Sequence, residues 1–131
     1  MSQSPLLFIK HVGLELVEQG NGTSRWTLKV EPHHFNTAGV VHGGVAYTLA
    51  DTAMGAAIIP GLAAGERCLT IDITTTYFKS VKGGVLECVA QVVNRGRSVA
   101  SAECSVLADG VVVARASGNY AIVRARGESA G

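Results

Sequence analysis

The sequence predicts an α+β layer domain, one long helix laid on a predominantly antiparallel sheet, and three observations carry that prediction. The run from His42 to about Ile59 shows no two-residue alternation and is rich in Ala, Leu and Met, so it reads as a helix, stopped by Pro60-Gly61. Two alternating strand-like segments precede it and four follow it. The strands are joined by short turns, of which Asn21-Gly22 and Asp109-Gly110 are hairpin signals.

Taken in order, Met1 to Ser4 is expected to fray, and Leu6-Leu7-Phe8-Ile9 makes a helical turn or two that Gly13 ends. Leu14 to Gln19 is the first strand. Thr23 to Val30 returns, with Trp26, Leu28 and Val30 on one face, and Pro32 stops it. In the helix Ala50, Ala53, Ala56 and Ala57 stand beside Leu49 and Met54, leaving no polar face of any width. A helix of that kind is expected to be covered on nearly every side by a curved sheet. From Cys68 strands dominate, with Leu69, Ile71, Ile73 and Thr75 alternating against Thr70, Asp72, Thr74 and Thr76. Lys82-Gly83-Gly84 turns the chain. Val85 to Asn94 and Ser98 to Ala108 flank Arg95-Gly96-Arg97, and Val111 to Val123 is the last strand. The tail from Arg124 is expected to be flexible, giving an N-terminal segment over 1–12, a domain over 13–123 and a tail over 124–131.

A length of 131 residues fits one domain with a real core. The formal charge of +1, with no basic run longer than two residues, argues against nucleic acid and anionic membrane surfaces as partners. Only 16% of residues are charged while 47% are hydrophobic, a lean surface that points to burial in an oligomer. Cys68, Cys88 and Cys104 lie far apart in apolar strands and read as buried thiols in a reducing compartment, and no secretory or membrane-spanning segment is evident, so a cytoplasmic protein is expected.

Chemistry concentrates in the loop His33 to Gly44 and the helix behind it. Gly43 and Gly44 stand at the helix start, where amide N–H groups lack intrahelical partners and the dipole is positive, so a carbonyl gaining negative charge is stabilised there. The loop has neither the spacing nor the Lys of a phosphate-binding P-loop. Asp51, set among apolar residues, is costly to bury unpaired; it either caps or pairs structurally or serves as a base or nucleophile facing a cleft. Gly43 and Asp51 are eight residues apart, so along a helix they are separated by roughly 12 Å. One chain's pair cannot easily serve one carbonyl, and if both are catalytic they meet across a subunit interface. His42 orients the loop, caps the helix or moves a proton. His33, His34 and His42 lack zinc spacing, and no metal is expected. Arg95 and Arg97 form either a solvated turn or a phosphate clamp. Val40, Val41, Tyr47, Met54 and Phe78 are pocket-lining or core residues.

The constellation Asn36, Gly39, His42-Gly43-Gly44 and Leu49-Ala50-Asp51, followed by Thr70-Ile71-Asp72 and Tyr77, resembles the hotdog-fold thioesterases, in the branch of the phenylacetic-acid-degradation thioesterase PaaI. The resemblance covers about Gly13 to Val123. It implies a helix wrapped by about six antiparallel strands, a dimer with a continuous sheet and usually a homotetramer. It implies hydrolysis of acyl- or aryl-coenzyme A, with coenzyme A as part of the substrate and no separate cofactor. Asp51 takes the position of the carboxylate that activates water or attacks, and the Gly43 N–H that of the carbonyl polariser. Asn36 would help hold the carbonyl or the water, Thr70 would assist the carboxylate, and His42 would be supportive. In the family Asp51 and Thr70 come from the chain opposite Asn36 and Gly43, and Arg95 and Arg97 are placed like residues that neutralise the coenzyme's phosphates. The alternative is a hotdog protein that binds acyl-coenzyme A without hydrolysing it, which gives little reason for a carboxylate beside the acyl group. A dehydratase of this fold lacks its histidine here.

Overall fold

The computed structural model describes residues 7–124. The elements are α1 (Phe8–Val12), β1 (Leu14–Gly20), β2 (Thr23–Lys29), α2 (Gly43–Ile58), β3 (Glu66–Tyr77), β4 (Val85–Arg95), β5 (Val99–Ala108) and β6 (Val111–Arg124). Short 3-10 turns cover Pro32–His34 and Ile59–Gly61. The strands form one antiparallel sheet in the order β1-β2-β4-β5-β6-β3, with α2 across its concave face. The two strands, long helix and four strands are those expected. Asp109 and Gly110 both take positive φ, 51° and 77°, as the mirror-image turn of a two-residue hairpin requires. The expected fraying of 1–4 and the flexible tail over 125–131 lie outside the described residues; Arg124, expected to begin that tail, still belongs to β6 and pairs with Glu66 at 3.3 Å.

The core lies between α2 and the inner face of the sheet. Leu49, Ala50, Ala53, Met54, Ala57 and Ile58 are fully buried against Trp26 and Leu28 of β2, Leu86 and Cys88 of β4, and the small residues of β5 and β6. Polar ties fix the helix along its length: Ser24 Oγ donates to the Ala53 carbonyl at 2.6 Å and Gln19 Nε2 to that of Ala56 at 2.8 Å. Cover is incomplete, however. Gly44, Tyr47, Thr48, Asp51, Thr52 and Gly55 recur at helical spacing and remain partly or fully accessible. The expectation of a helix covered on nearly every side therefore fails along this stripe, because the sheet ends there at the edge strand β3.

That edge strand also departs from simple alternation. Thr70 pairs with Tyr120 and Ile73 with Gly118, both inward-facing, whereas Asp72 pairs with Asn119 on the outer face. A bulge between Thr70 and Asp72 resets the phase. Strict alternation would place Leu69 and Ile73 on one face; the extra residue sends Leu69 outward and turns both Thr70 and Ile73 toward α2. A two-residue period cannot reveal this, since Thr and Ile suit either face of a strand.

The loop before α2 is anchored by His34, which is 3% exposed. Its Nδ1 accepts the Glu31 N–H at 2.9 Å and its Nε2 donates to the Val12 carbonyl at 2.6 Å, which assigns the proton to Nε2. Its own carbonyl accepts the His42 N–H at 2.8 Å. His34→Phe strands one part-buried donor and one part-buried acceptor, and we expect it to lower the unfolding free energy by about 1–3 kcal/mol in urea denaturation.

Candidate active site

Four backbone N–H groups at the start of α2 lack acceptors within the helix, and the local sequence disposes of all but one. The His42 N–H goes to the His34 carbonyl. The Gly44 N–H goes to His42 Nδ1 at 2.8 Å, and the Val45 N–H to the His42 carbonyl at 3.0 Å. Among the described residues nothing accepts from the Gly43 N–H. His42 is thus the helix cap, one of the roles open to it from the sequence, and its Nε2 is left toward solvent. The next peptide is clamped from the other side, where Tyr77 Oη of β3 donates to the Gly43 carbonyl at 2.6 Å. The Tyr77 ring packs against Gly43, where an added Cβ would meet Tyr77 Cζ at 3.4 Å. Burial, and then the neighbouring Tyr47, push the Tyr77 phenol above its ordinary pKa, so it remains a donor.

Asn36 opens the loop. Its Oδ1 accepts the N–H groups of Ala38 at 2.9 Å and Val40 at 3.3 Å, an Asx-type turn that fixes the side chain and leaves Nδ2 as a donor with no acceptor among the described residues. Asn36 and Gly43 sit at the two ends of one turn, closed by the bridge between Phe35 and Val41.

Asp51 lies on the open stripe of α2, half-buried. Thr70 Oγ1 donates to its Oδ1 at 2.8 Å and Tyr120 Oη to the same oxygen at 2.9 Å, so the bulge of β3 and the last strand converge on one carboxylate oxygen. Oδ2 has no partner among the described residues. The Cys68 thiol is nearby; desolvation, with the Asp51 charge adding to it, holds it above its ordinary pKa and keeps it neutral. Among the described residues no group of His, Cys, Asp and Glu could hold a metal ion, and no helix is long and apolar enough to cross a membrane.

The remaining candidates fall in separate places. Val40, Val41 and Phe78 line a cleft of about 280 Å³ together with Gly43 and Tyr77. Tyr47 lies on the open stripe, 39% exposed. Met54 is completely buried and packs beside Gly118, because three residues beyond Asp51 the helix has turned toward β6; of its two readings, core is the one it fills. Arg95 closes the far end of α2: its Nη2 donates to the Ile58 carbonyl at 3.1 Å, with the guanidinium against Gly61. With Arg97, Ser98 and Arg124 it lines a polar groove of about 440 Å³. Cys88 and Cys104 are buried as expected, and Cys68 is half-buried.

Sequence reasoning missed Tyr120 and gave Tyr77 no role. A signal for Tyr120 existed: in Ala114, Ala116, Gly118 and Tyr120 the inner face of β6 carries three small residues and then one large polar-tipped one, and a buried tyrosine hydroxyl needs a partner. The glycines around its ring respond oppositely to substitution. At Gly118 an added Cβ would lie 3.2 Å from Tyr120, Met54 and Ile73 atoms, so Gly118→Ala is expected to overpack the core and cost about 1–2 kcal/mol. At Gly55 the nearest atom is Tyr120 Cε2 at 3.7 Å, an ordinary contact, so Gly55→Ala is expected to gain about 0.5–1 kcal/mol from helix propensity. Paired thermal and urea unfolding checks both signs.

Comparison with known proteins agrees with this geometry. Residues 38–115 match the family model of the thioesterase superfamily. Proteins named as candidate esterases from Haemophilus influenzae and Archaeoglobus fulgidus are 29% identical over 91 residues and 32% identical over 87 residues, covering 70% and 66% of this chain. The matches span 66% and 54% of those relatives' own length. The structure of a mutant of the phenylacetic acid degradation protein PaaI from Thermus thermophilus superposes with a TM-score of 0.81 at 26% identity, over 87% of this chain and 96% of that one. With its six-stranded antiparallel sheet wrapped on one long helix, the chain belongs to the hotdog-fold thioesterase superfamily, in its PaaI-like branch.

Proposed function

We propose that this protein hydrolyses the thioester of acyl- or aryl-coenzyme A in active sites assembled from two copies of the chain. The observation that carries the reading is that, among the described residues, one helix-start N–H at Gly43 and one carboxylate oxygen of Asp51 are left without partners on a single unbroken helix. Eight residues of helix hold them roughly 12 Å apart, whereas a base must stand within about 3 Å, or one water, of what it activates. A second copy set along β3 would bring Asp51 of one chain to Gly43 of the other. That edge strand runs for 12 residues, and Leu69, Ile71, Tyr77 and Phe78 on or beside it are each about half exposed, a surface that a lone chain has reason to cover.

In this arrangement the thioester oxygen accepts from the Gly43 N–H and from Asn36 Nδ2, and the helix dipole favours the charge that develops on it. The partner subunit's Asp51, held by Thr70, delivers the attack with its free oxygen, either by deprotonating a water or by adding to the carbonyl carbon itself. In the first route the proton taken by Asp51 passes to the departing sulfur, so coenzyme A leaves as the thiol and the acid is free. In the second coenzyme A leaves as the thiolate, and water then hydrolyses the acyl-Asp51 anhydride to release the acid and regenerate the carboxylate. Val40, Tyr47 and Phe78 offer apolar surface to the acyl group, and Arg95 and Arg97 offer charge to the coenzyme's phosphates. His42 acts through the loop by fixing Gly44. The protein acts as a cytoplasmic homotetramer of two such dimers.

The test is a thiol-release screen over short, medium, long and aromatic acyl-coenzyme A substrates, followed by mixing Asp51→Ala chains with Asn36→Ala chains. Activity recovered in verified hybrids, above either parent, supports the shared site. Absence of thiol release on every substrate, with the thioesters nevertheless bound, would favour a non-hydrolytic binder.

A further inference from the structure

We infer that Tyr120 is a positioning residue for Asp51: with Thr70 it saturates Oδ1 and so makes Oδ2 the single oxygen through which this carboxylate acts. The inference rests on the proposed hydrolysis for its kinetic consequence, but its structural content stands on three features of the fold. Tyr120 is 2% exposed, in the middle of β6, and its hydroxyl has two acceptors within reach, Asp51 Oδ1 at 2.9 Å and the Asp51 main-chain carbonyl at 3.0 Å. Its one proton goes to the charged oxygen, the stronger acceptor. Thr70 Oγ1 approaches that same oxygen at 2.8 Å from the neighbouring strand, and Thr70 and Tyr120 are direct partners in the β3–β6 ladder. The sheet therefore presents two hydroxyls side by side to one oxygen, and the helix presents the other oxygen to the open stripe.

The packing around the ring is built for this. Gly118, two residues before Tyr120, leaves the space that the ring's Cε1 edge and Met54 share, and the ring's Cε2 edge faces Gly55 of α2. The bulge in β3 is what turns Thr70 inward. A carboxylate with both oxygens equally free can swing about its terminal torsion, which is broad and two-fold. Two donors on one oxygen remove that freedom, and orientation of this kind is worth a large factor in rate. Among the described residues the titratable groups facing Asp51 are Tyr120 from β6 and Cys68 from β3. Burial first, and then the Asp51 charge, hold the Tyr120 phenol far above its ordinary pKa, and Cys68 is shifted in the same direction, so both stay neutral donors.

The experiment compares native protein with Tyr120→Phe, Thr70→Val and Thr70→Ser. It titrates the Asp51 carboxyl carbon by NMR in 13C-aspartate-labelled protein, assigns it by its absence in Asp51→Asn, and measures kcat, KM and their pH profiles. Removing a donor from a carboxylate disfavours its charged form, so Tyr120→Phe is expected to raise the Asp51 midpoint by about 0.5–1 pH unit. The acidic limb of the rate profile moves up with it. kcat is expected to fall about tenfold to a hundredfold with KM nearly unchanged. Thr70→Val acts in the same direction and Thr70→Ser restores native behaviour. 3-Fluorotyrosine at position 120, a stronger donor in the same space, shifts the midpoint downward and replaces the Phe variant should that not fold. A folded Tyr120→Phe protein with an unmoved Asp51 midpoint and native kcat overturns the inference. Were the native protein to release no thiol, the proposed hydrolysis would fail, while the NMR titration would still decide the role of Tyr120.

Discussion

Asp51→Asn is expected to lower kcat for thioester hydrolysis by about a thousandfold or more, a loss near 4 kcal/mol of transition-state stabilisation, while substrate binding and fold persist. The substitution is informative because of what it leaves intact. The amide oxygen of Asn can still accept from Thr70 Oγ1 and Tyr120 Oη, so neither hydroxyl is stranded. What vanishes is the negative charge and lone pair on the atom that takes the place of Oδ2. Asp51→Ala is a coarser change: it leaves the 2%-exposed Tyr120 hydroxyl with only the main-chain carbonyl, and part of any lost activity would be structural. The measurement is steady-state thiol release beside equilibrium binding of a non-hydrolysable coenzyme A thioether. Turnover in Asp51→Asn equal to native would remove Asp51 from the mechanism.

Gly43→Pro is expected to cost a further large factor, about a hundredfold to a thousandfold in kcat, the usual loss for one oxyanion-stabilising donor. Proline at the first position of a helix is well tolerated, since its fixed φ suits that place and its missing N–H has no intrahelical partner anyway. The preceding residue, His42, has φ −61° and ψ 136°, a conformation that a following proline favours. The substitution therefore deletes one N–H while sparing the helix. Gly43→Ala is the companion variant: it keeps the N–H, and its Cβ would meet the Tyr77 ring at 3.4 Å, a contact the ring relieves by a small shift. Native-like activity in Gly43→Ala with loss in Gly43→Pro isolates the amide. Equal activity in both would show that this N–H is not used.

The glycine pair, the acid in the helix and the strand count were legible because each has a one-dimensional signature. A polar residue in an apolar helical run stands out by the cost of burying it, and hairpin turns announce themselves in Asn21-Gly22 and Asp109-Gly110. The open stripe on α2 was not legible. Gly44, Thr48, Thr52 and Gly55 are small and suit burial as well as exposure, so their composition hides where the sheet stops. Arg95 reads in sequence as part of a solvated turn or a phosphate clamp, and neither reading shows that its guanidinium reaches across to the Ile58 carbonyl at the end of the helix.

Residue order alone places a long apolar helix carrying Asp51 after a glycine-rich turn and puts Gly43 and Asp51 eight residues apart. Helical rise is fixed by backbone geometry, so that separation needs no tertiary information. Which atoms are left open for reaction follows from the folded chain. That Gly43 alone of the first helix amides lacks an acceptor among the described residues depends on His34 and His42 folding back on the loop. That Oδ2 alone of the Asp51 oxygens is open among the described residues depends on a bulge in β3 and a tyrosine 69 residues away on β6. Hydrogen bonds between residues distant in sequence are set by sheet register and local phase, and register is a property of the assembled strands rather than of any one of them.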